Sequence, residues 1–348
     1  MKPEVEELLS ARNIESRILL PETAMLAKIE ASFIQGARRY CENFGYQDIP
    51  ICHLTRATGA CEDFNSLLST EIFGQTAYLN QTGQLLLEAF MHVYKKTFCI
   101  GPSFRKERKV DARHLLEFNL FEIEVADMDL DELQEEISSI FLAALTNIEN
   151  RCKKELEHLC GYSSLDFLKP PYRSMTYRQA IEHLGLDFGE DLQSAHEKAL
   201  VSLNEYKPIF IVQYPKEIKF FNMRENRGDS NIVQSMDLLM PYSGESVGAA
   251  EREEDFERLK KRLEKSDMIR LMKEAMLKED GDPRWKEHAD LLHSDAMKRF
   301  DWYIEVIKNK PIKHSGCGIG VGRVIQSILS TNDIRNSGAF PINQKTLF

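Results

Sequence analysis

The 348-residue chain has no CxxC pair, no glycine-lysine-serine/threonine phosphate loop, no basic leader ahead of an apolar stretch, and no apolar run near the ~18 residues that cross a bilayer. Its seven cysteines, at positions 41, 52, 61, 99, 152, 160 and 317, are odd in number. They read as buried or free thiols in a reducing compartment, not as a zinc site or a disulfide framework. The opening MKPEVEELLSARN is acidic, so no signal peptide is expected and the cytoplasm is the expected compartment. An excess of basic residues is also missing: 45 Lys and Arg stand against 55 Asp and Glu, a formal net charge of −10. That balance argues against a dedicated nucleic-acid binder, although a local basic groove can hide in such a total. What remains is an ordinary globular composition, 43% hydrophobic and 29% charged, long enough to bury a core without staples. Disordered, collagen-like and disulfide-framed classes are excluded.

The length suits about two domains, yet no linker, repeat or low-complexity tract divides the chain. Apolar residues at helical spacing (Met25, Leu26, Ile29, Phe33, Ala37) predict a helix over 22–44. TAYLN at 76–80 predicts a strand, and 84–95 a helix. From Thr97 to Ala126 the period switches to two, predicting an antiparallel hairpin with KVDAR at its charged tip. Helices are expected over 128–155 and within 176–205, and strands at 209–213 and 234–240. The charge-rich 251–309 reads as helical, with 265–297 as an inserted excursion. A glycine-studded extended piece, 311–322, then runs into a helix at 323–330. Strands interrupted by irregular helices, with hairpins among them, predict an α+β domain on a mostly antiparallel sheet.

Three segments carry chemistry. In HSGCGIGVGR, glycines at 316, 318, 320 and 322 alternate, so on a strand all four share one bare face. Such a face serves a barrel-like bend, close packing, or a flat ring lying on the backbone. Arg323 follows, placed for a phosphate or for stacking. A Rossmann turn is excluded, because GxGxxG needs glycine at 321 or 323, where Val321 and Arg323 stand. In the hairpin, Arg105 and Glu107 share one face, and Phe118, Leu120, Glu122 and Glu124 share one on the return strand. That pattern is either a solvated, salt-bridged face or a nucleotide floor with Arg105 on phosphate, Glu107 near the base and Phe118 stacked on it. In QSMDLLMPYSGESVGAAERE, the PYSG turn predicts a hairpin whose Asp237 and Glu245 are either surface residues or ligands of Mg²⁺. A simple turn does not set them directly opposite.

Together these pieces resemble the signature motifs of class II aminoacyl-tRNA synthetases, nearest in order and spacing to asparaginyl-tRNA synthetases. IFGQTAYLNQTGQLLLEA, IGPSFRKERKVDARHLLEFNLFEIEVA, QYPKEIKFFNMR, MDLLMPYSGESVGAAEREE and HSGCGIGVGRV each match a family block, in family order. The resemblance implies a six-stranded antiparallel sheet flanked by helices, a homodimer formed through residues near 30–50, and activation of an amino acid by ATP as an adenylate. It implies that Arg105 and Arg323 are catalytic and hold ATP together with Glu107, Phe118, Gly318 and Gly320. His114 either touches pyrophosphate or is a loop histidine without a role. Asp237 and Glu245 would hold Mg²⁺. Gln84 and Glu122 would line the pocket near the α-amino group, with Gly248 beside them and Arg252 gripping the side chain. Leu87 stands where aspartate-type enzymes carry lysine, and Glu88 where asparagine-type enzymes carry glutamate. A carboxylate there accepts from an amide and repels a substrate carboxylate, which favours asparagine.

Two departures shape the expected function. An anticodon-binding barrel of five strands needs on the order of 70–100 residues, whereas the resemblance begins near residue 20. The chain is therefore expected to be one catalytic domain without that barrel. Counting from Pro50 puts Thr58 at the place of a family glutamate that meets the α-amino group; Ile342 also replaces a usual basic residue. These departures lead to the expectation of a ligase that adenylates an asparagine- or aspartate-like acid and passes it to a small nucleophile, either ammonia or an amine. Two alternatives stand beside it: a tRNA ligase reaching only the acceptor stem, and a non-catalytic sensor of ATP or amino acid.

Overall fold

The computed structural model describes residues 1–10, 13–56, 66–106, 111–279 and 289–346. Glu107 and Thr58 lie outside the described residues. In chain order the elements are α1 (Pro3–Ser10), α2 (Ile14–Arg17), α3 (Pro21–Asn43), β1 (Gln47–Asp48), β2 (Leu54–Thr55), β3 (Ser69–Ile72), β4 (Gln75–Leu79), α4 (Gln84–Ala89), β5 (Lys96–Phe104) and β6 (Glu117–Ala126). They continue with α5 (Leu130–Arg151), α6 (Lys153–Cys160), β7 (Arg173–Thr176), α7 (Tyr177–Leu184), α8 (Ser194–Leu203), β8 (Ile209–Val212), β9 (Ser235–Met240) and β10 (Gly244–Glu251). Last come α9 (Phe256–Lys265), α10 (Asp267–Glu279), α11 (Ala289–Lys298), α12 (Asp301–Asn309), β11 (His314–Gly320) and α13 (Val321–Ile328).

Local chemistry sets several boundaries. Pro21 opens α3, where a missing N–H costs nothing. Asp129 and Glu132 close a reciprocal capping box at the start of α5. Both helices bury the face that their 3.6-residue period predicts: Leu26, Ile29, Phe33 and Ala37 from α3, and Leu133, Ile137, Phe141 and Ala144 from α5. The helix expected over 84–95 stops at Ala89, and the one over 128–155 breaks at Cys152.

The main sheet runs β1-β5-β6-β11-β10-β9-β8-β7. Its six central strands are antiparallel throughout, as expected. Two short strands add to the edges in parallel, β1 beside β5 and β7 beside β8, so among the described residues the sheet has eight strands and not six. Parallel edge pairs leave no hairpin in the sequence, which is why they were not expected. A separate sheet orders β2-β4-β3.

Period-two alternation assigns the two faces of the main sheet. Phe121, Ile123, Val125, Met236, Leu238, Val247 and Ile319 face the layer of α3, α5 and α13 and share its core. Leu120, Glu122 and Glu124 face the opposite way, into a cleft. Two smaller cores bound that cleft: α7 and α8 pack on β8 and β9, while α9 to α12 pack around Tyr78, Leu85 and Phe221. The glycine strip differs from expectation. Gly316, Gly318 and Gly320 are on β11, but Gly322 belongs to α13.

Candidate active site

The cleft encloses about 1050 Å³, including the solvent at its mouth. Arg105, His114, Phe118, Gly318, Gly320 and Arg323 line one part of it. Arg105 follows directly on β5, and its guanidinium lies 4.9 Å from the centroid of the Phe118 ring. Arg323, on the first turn of α13, donates to the Glu245 carbonyl. His114 meets Asp111 at 2.8 Å. Arg113, at the charged hairpin tip, also lines this end and pairs with the buried Glu197 of α8 at 2.8 Å. Gly244 makes room for that pair: its φ is +73°, and a Cβ there would sit 2.0 Å from Glu197 Oε2.

Asp237 and Glu245 converge although no simple hairpin would bring them together. Glu245 pairs with Leu239 and Val247 with Leu238, so Ser246 is an extra, bulged residue. The bulge puts Glu245 and Gly248, three apart in sequence, on the same face. Glu245 Oε1 and Asp237 Oδ1 both overhang Gly248, at 3.5 and 3.9 Å from where its Cβ would be. Burial, opposed by Lys219 and reinforced by the Glu245 charge, pushes the Asp237 carboxyl up to about 6. Lys219 Nζ stands 2.7 Å from Asp237 Oδ2 and 4.0 Å from the Tyr214 ring centroid. Lys219 leaves a short 3-10 turn, so no periodicity marked it.

The deep end holds Gln84, Glu122, Glu124, Gly248 and Arg252. Glu122 Oε2 accepts from the Gly83 N–H at 2.7 Å and Oε1 from the Thr82 hydroxyl, tying β6 to the start of α4. Arg252 Nη2 donates to Glu124 Oε1 at 2.6 Å. The Glu124 carboxyl lies over Gly316, whose added Cβ would come within 2.1–2.3 Å of it. Gly316 is therefore covered by the protein's own side chain, and the bare strip begins only at Gly318.

Glu88 is not among the residues lining the cleft; it lies beneath them, 2% exposed. Its Oε2 accepts from the Tyr303 hydroxyl at 2.7 Å and faces His314 Nε2 at 3.3 Å. Its Oε1 accepts from Gln84 Nε2 at 2.7 Å. Burial alone would raise this carboxyl, but His314, Arg252 and Tyr303 outweigh it and hold Glu88 at about 2. Glu124 goes the other way, to about 7: burial raises it, Arg252 opposes, and the Glu88 charge raises it further. His314 Nδ1 faces the Ile312 carbonyl at 2.7 Å, and Nε2 stands 3.3 Å from Glu88 Oε2 as an ion-pair contact without a hydrogen bond. Burial lowers its pKa, yet Glu88 and Glu124 raise it on balance, which favours the imidazolium. Glu88, Glu124 and His314 lie within 4.8 Å of one another, but Arg252 already supplies the cation between the carboxylates.

A family model described as tRNA synthetases class II (D, K and N) matches residues 6–344. The chain belongs to this family of class II synthetases. The asparagine–tRNA ligase of Pyrococcus furiosus is 31% identical over 355 residues, covering 99% of this chain and 73% of that protein. That of Desulforamulus reducens is 31% identical over 349 residues, covering 97% and 73%. The crystal structure of asparaginyl-tRNA synthetase from Pyrococcus horikoshii, complexed with asparaginyl-adenylate, superposes with a TM-score of 0.81 at 28% identity, covering 100% of this chain and 74% of that one. The asparaginyl-tRNA synthetase of Entamoeba histolytica shares the fold, with a TM-score of 0.75 at 22% identity, covering 93% and 68%. The chain is thus an adenylate-forming ligase of class II, similar to asparagine–tRNA ligases. No helix among the described residues is long and apolar enough to cross a membrane.

Proposed function

We propose that this chain activates asparagine with ATP as asparaginyl-adenylate and transfers the acyl group to tRNA. The observation that carries this reading is a single cleft. It joins Arg105, Phe118 and Arg323 at one end to an Arg252–Glu124 pair at the other, with two carboxylates between them. In the first step the amino-acid carboxylate attacks the α-phosphorus, an O–P bond forms, and the bond to pyrophosphate breaks. Arg105 would stabilise the charge that spreads over the phosphate oxygens, and Arg323 would meet the triphosphate. Phe118 and the backbone at Gly318 and Gly320 offer surfaces for the adenine ring. Asp237 and Glu245 form a hard-oxygen donor set that fits Mg²⁺, which when bound neutralises phosphate charge. At the deep end, Arg252 donates to a carboxamide oxygen, and ionised Glu124 accepts from its NH₂.

The relatives named above are tRNA ligases, which favours tRNA over the ammonia or amine acceptor expected from the sequence. The homodimer and the reading of residues 1–348 as one catalytic domain, with 265–297 as an insertion of which 280–288 lie outside the described residues, are part of the same proposal. The test is ATP–pyrophosphate exchange with asparagine and with aspartate, followed by charging of tRNA. We expect exchange with asparagine and acid-precipitable label released by ribonuclease. Arg105→Ala should lose at least about 100-fold in exchange. Exchange without charging, together with an amide or hydroxamate product, would return the acceptor to a small nucleophile.

A further inference from the structure

We infer that Tyr303, on α12, is a positioning residue for amino-acid recognition: it holds the Glu88 carboxylate beneath Arg252, so that Arg252 and Glu124 present the polar end of the pocket. This deepens the proposed function and rests on it. Tyr303 is fully buried on α12, and its ring belongs to the core formed with α9 and Phe300. From there its hydroxyl reaches Glu88, 215 residues away in sequence, at 2.7 Å.

A carboxylate offers about four lone-pair sites. Three protein groups donate to Glu88, Tyr303 at Oε2 and Gln84 and Asn222 (3.4 Å) at Oε1, and His314 Nε2 adds an ion-pair contact to Oε2 at 3.3 Å. Enclosed by these groups and 2% exposed, Glu88 does not line the cleft. Glu88 therefore acts through its neighbour: Arg252 Nε stands 3.9 Å from Glu88 Oε1, while its Nη2 is bound to Glu124. The arginine is held from below and from the side. Removing the Tyr303 hydroxyl leaves Oε2 with His314 alone, freeing Glu88 to rotate towards Arg252 and draw the guanidinium off the cleft floor. Helix α12 is then the back wall of the amino-acid pocket.

A double-mutant cycle of Tyr303→Phe and Glu88→Gln, read by pyrophosphate exchange, tests this. Each single variant should raise KM for asparagine about tenfold, the scale of one hydrogen bond to a charged group. KM for ATP should not change. The double variant should be no worse than Glu88→Gln alone, because both changes act along one chain of contacts. Thermal melting shows whether each variant is folded, and Tyr303→Phe keeps the ring that packs the core. An unchanged asparagine KM in Tyr303→Phe, effects that multiply in the double variant, or an equal rise in both KM values would overturn the inference. If the wild-type protein exchanges with no asparagine at all, it is the proposed function that has failed.

Discussion

Glu88 and Glu124 are both buried carboxylates, yet their environments drive them apart. Glu88, held at about 2, stays ionised in the folded chain; it adds stability above the ordinary glutamate range that is lost as pH falls from about 4.5 towards 2. Glu124, held at about 7, keeps its proton in the folded chain after the unfolded chain has lost it. Its contribution to stability therefore declines as pH rises from about 4.5 to 7 and is constant above. For function the same number has one sign. Protonated Glu124 cannot serve an amide NH₂ as a carboxylate, so kcat/KM for asparagine should rise with pH through about 7. Any residual aspartate activity should fall over the same range, and Glu124→Gln should flatten both profiles. A pH-independent asparagine-to-aspartate ratio would refute the assignment. Alternation along EIEVA placed Glu124 on the cleft face from sequence alone. That Arg252 would meet it, and that Glu88 would turn away, depended on contacts between residues 128 and 164 positions apart.

Strand β11 shows how an element divides labour between like residues. Gly316 and Gly318 are two apart and share a face, but Gly316 carries the Glu124 carboxyl, whereas nothing lies nearer than 3.9 Å to a Cβ on Gly318. Gly316→Ala should displace Glu124, cost about 1–3 kcal/mol of stability as overpacking does, and raise KM for asparagine. Gly318→Ala should leave the melting temperature nearly unchanged and raise KM for ATP instead, because its methyl points into open cleft. Denaturant melts and the two KM values separate these outcomes. Alternation of glycine was legible in the sequence; which glycine stays open to the cleft and which lies under a side chain was not, since that depends on the neighbouring strand's register. Gly316 pairs with Glu124 across β6.

For the molecule as a whole, the cleft lies between the sheet and two helical cores. ATP and asparagine bound at once would touch β6, β10 and β11 and the segment carrying Lys219. Saturating both ligands, or an unreactive adenylate analogue, should raise the melting temperature more than either ligand alone. A ligand at 100 times its Kd adds about 2.7 kcal/mol. Equal shifts from ATP alone and from both together would argue against a shared cleft. The overall charge of −10 gives no hint of this site, because Arg105, Arg113, Arg323 and Lys219 are concentrated where a triphosphate would lie.

Local spacing determined the helices, the central hairpins and which side chains share a sheet face, because periods of 3.6 and two are properties of neighbouring residues. It also carried the ordered blocks by which the family is recognised. Tertiary structure decided the rest. The bulge at Ser246 brings Asp237 and Glu245 together, the parallel edge strands complete the sheet, and Tyr303 and His314 close around Glu88 from the far end of the chain. Register and long-range pairing follow from how whole elements pack, and no spacing within one element encodes them.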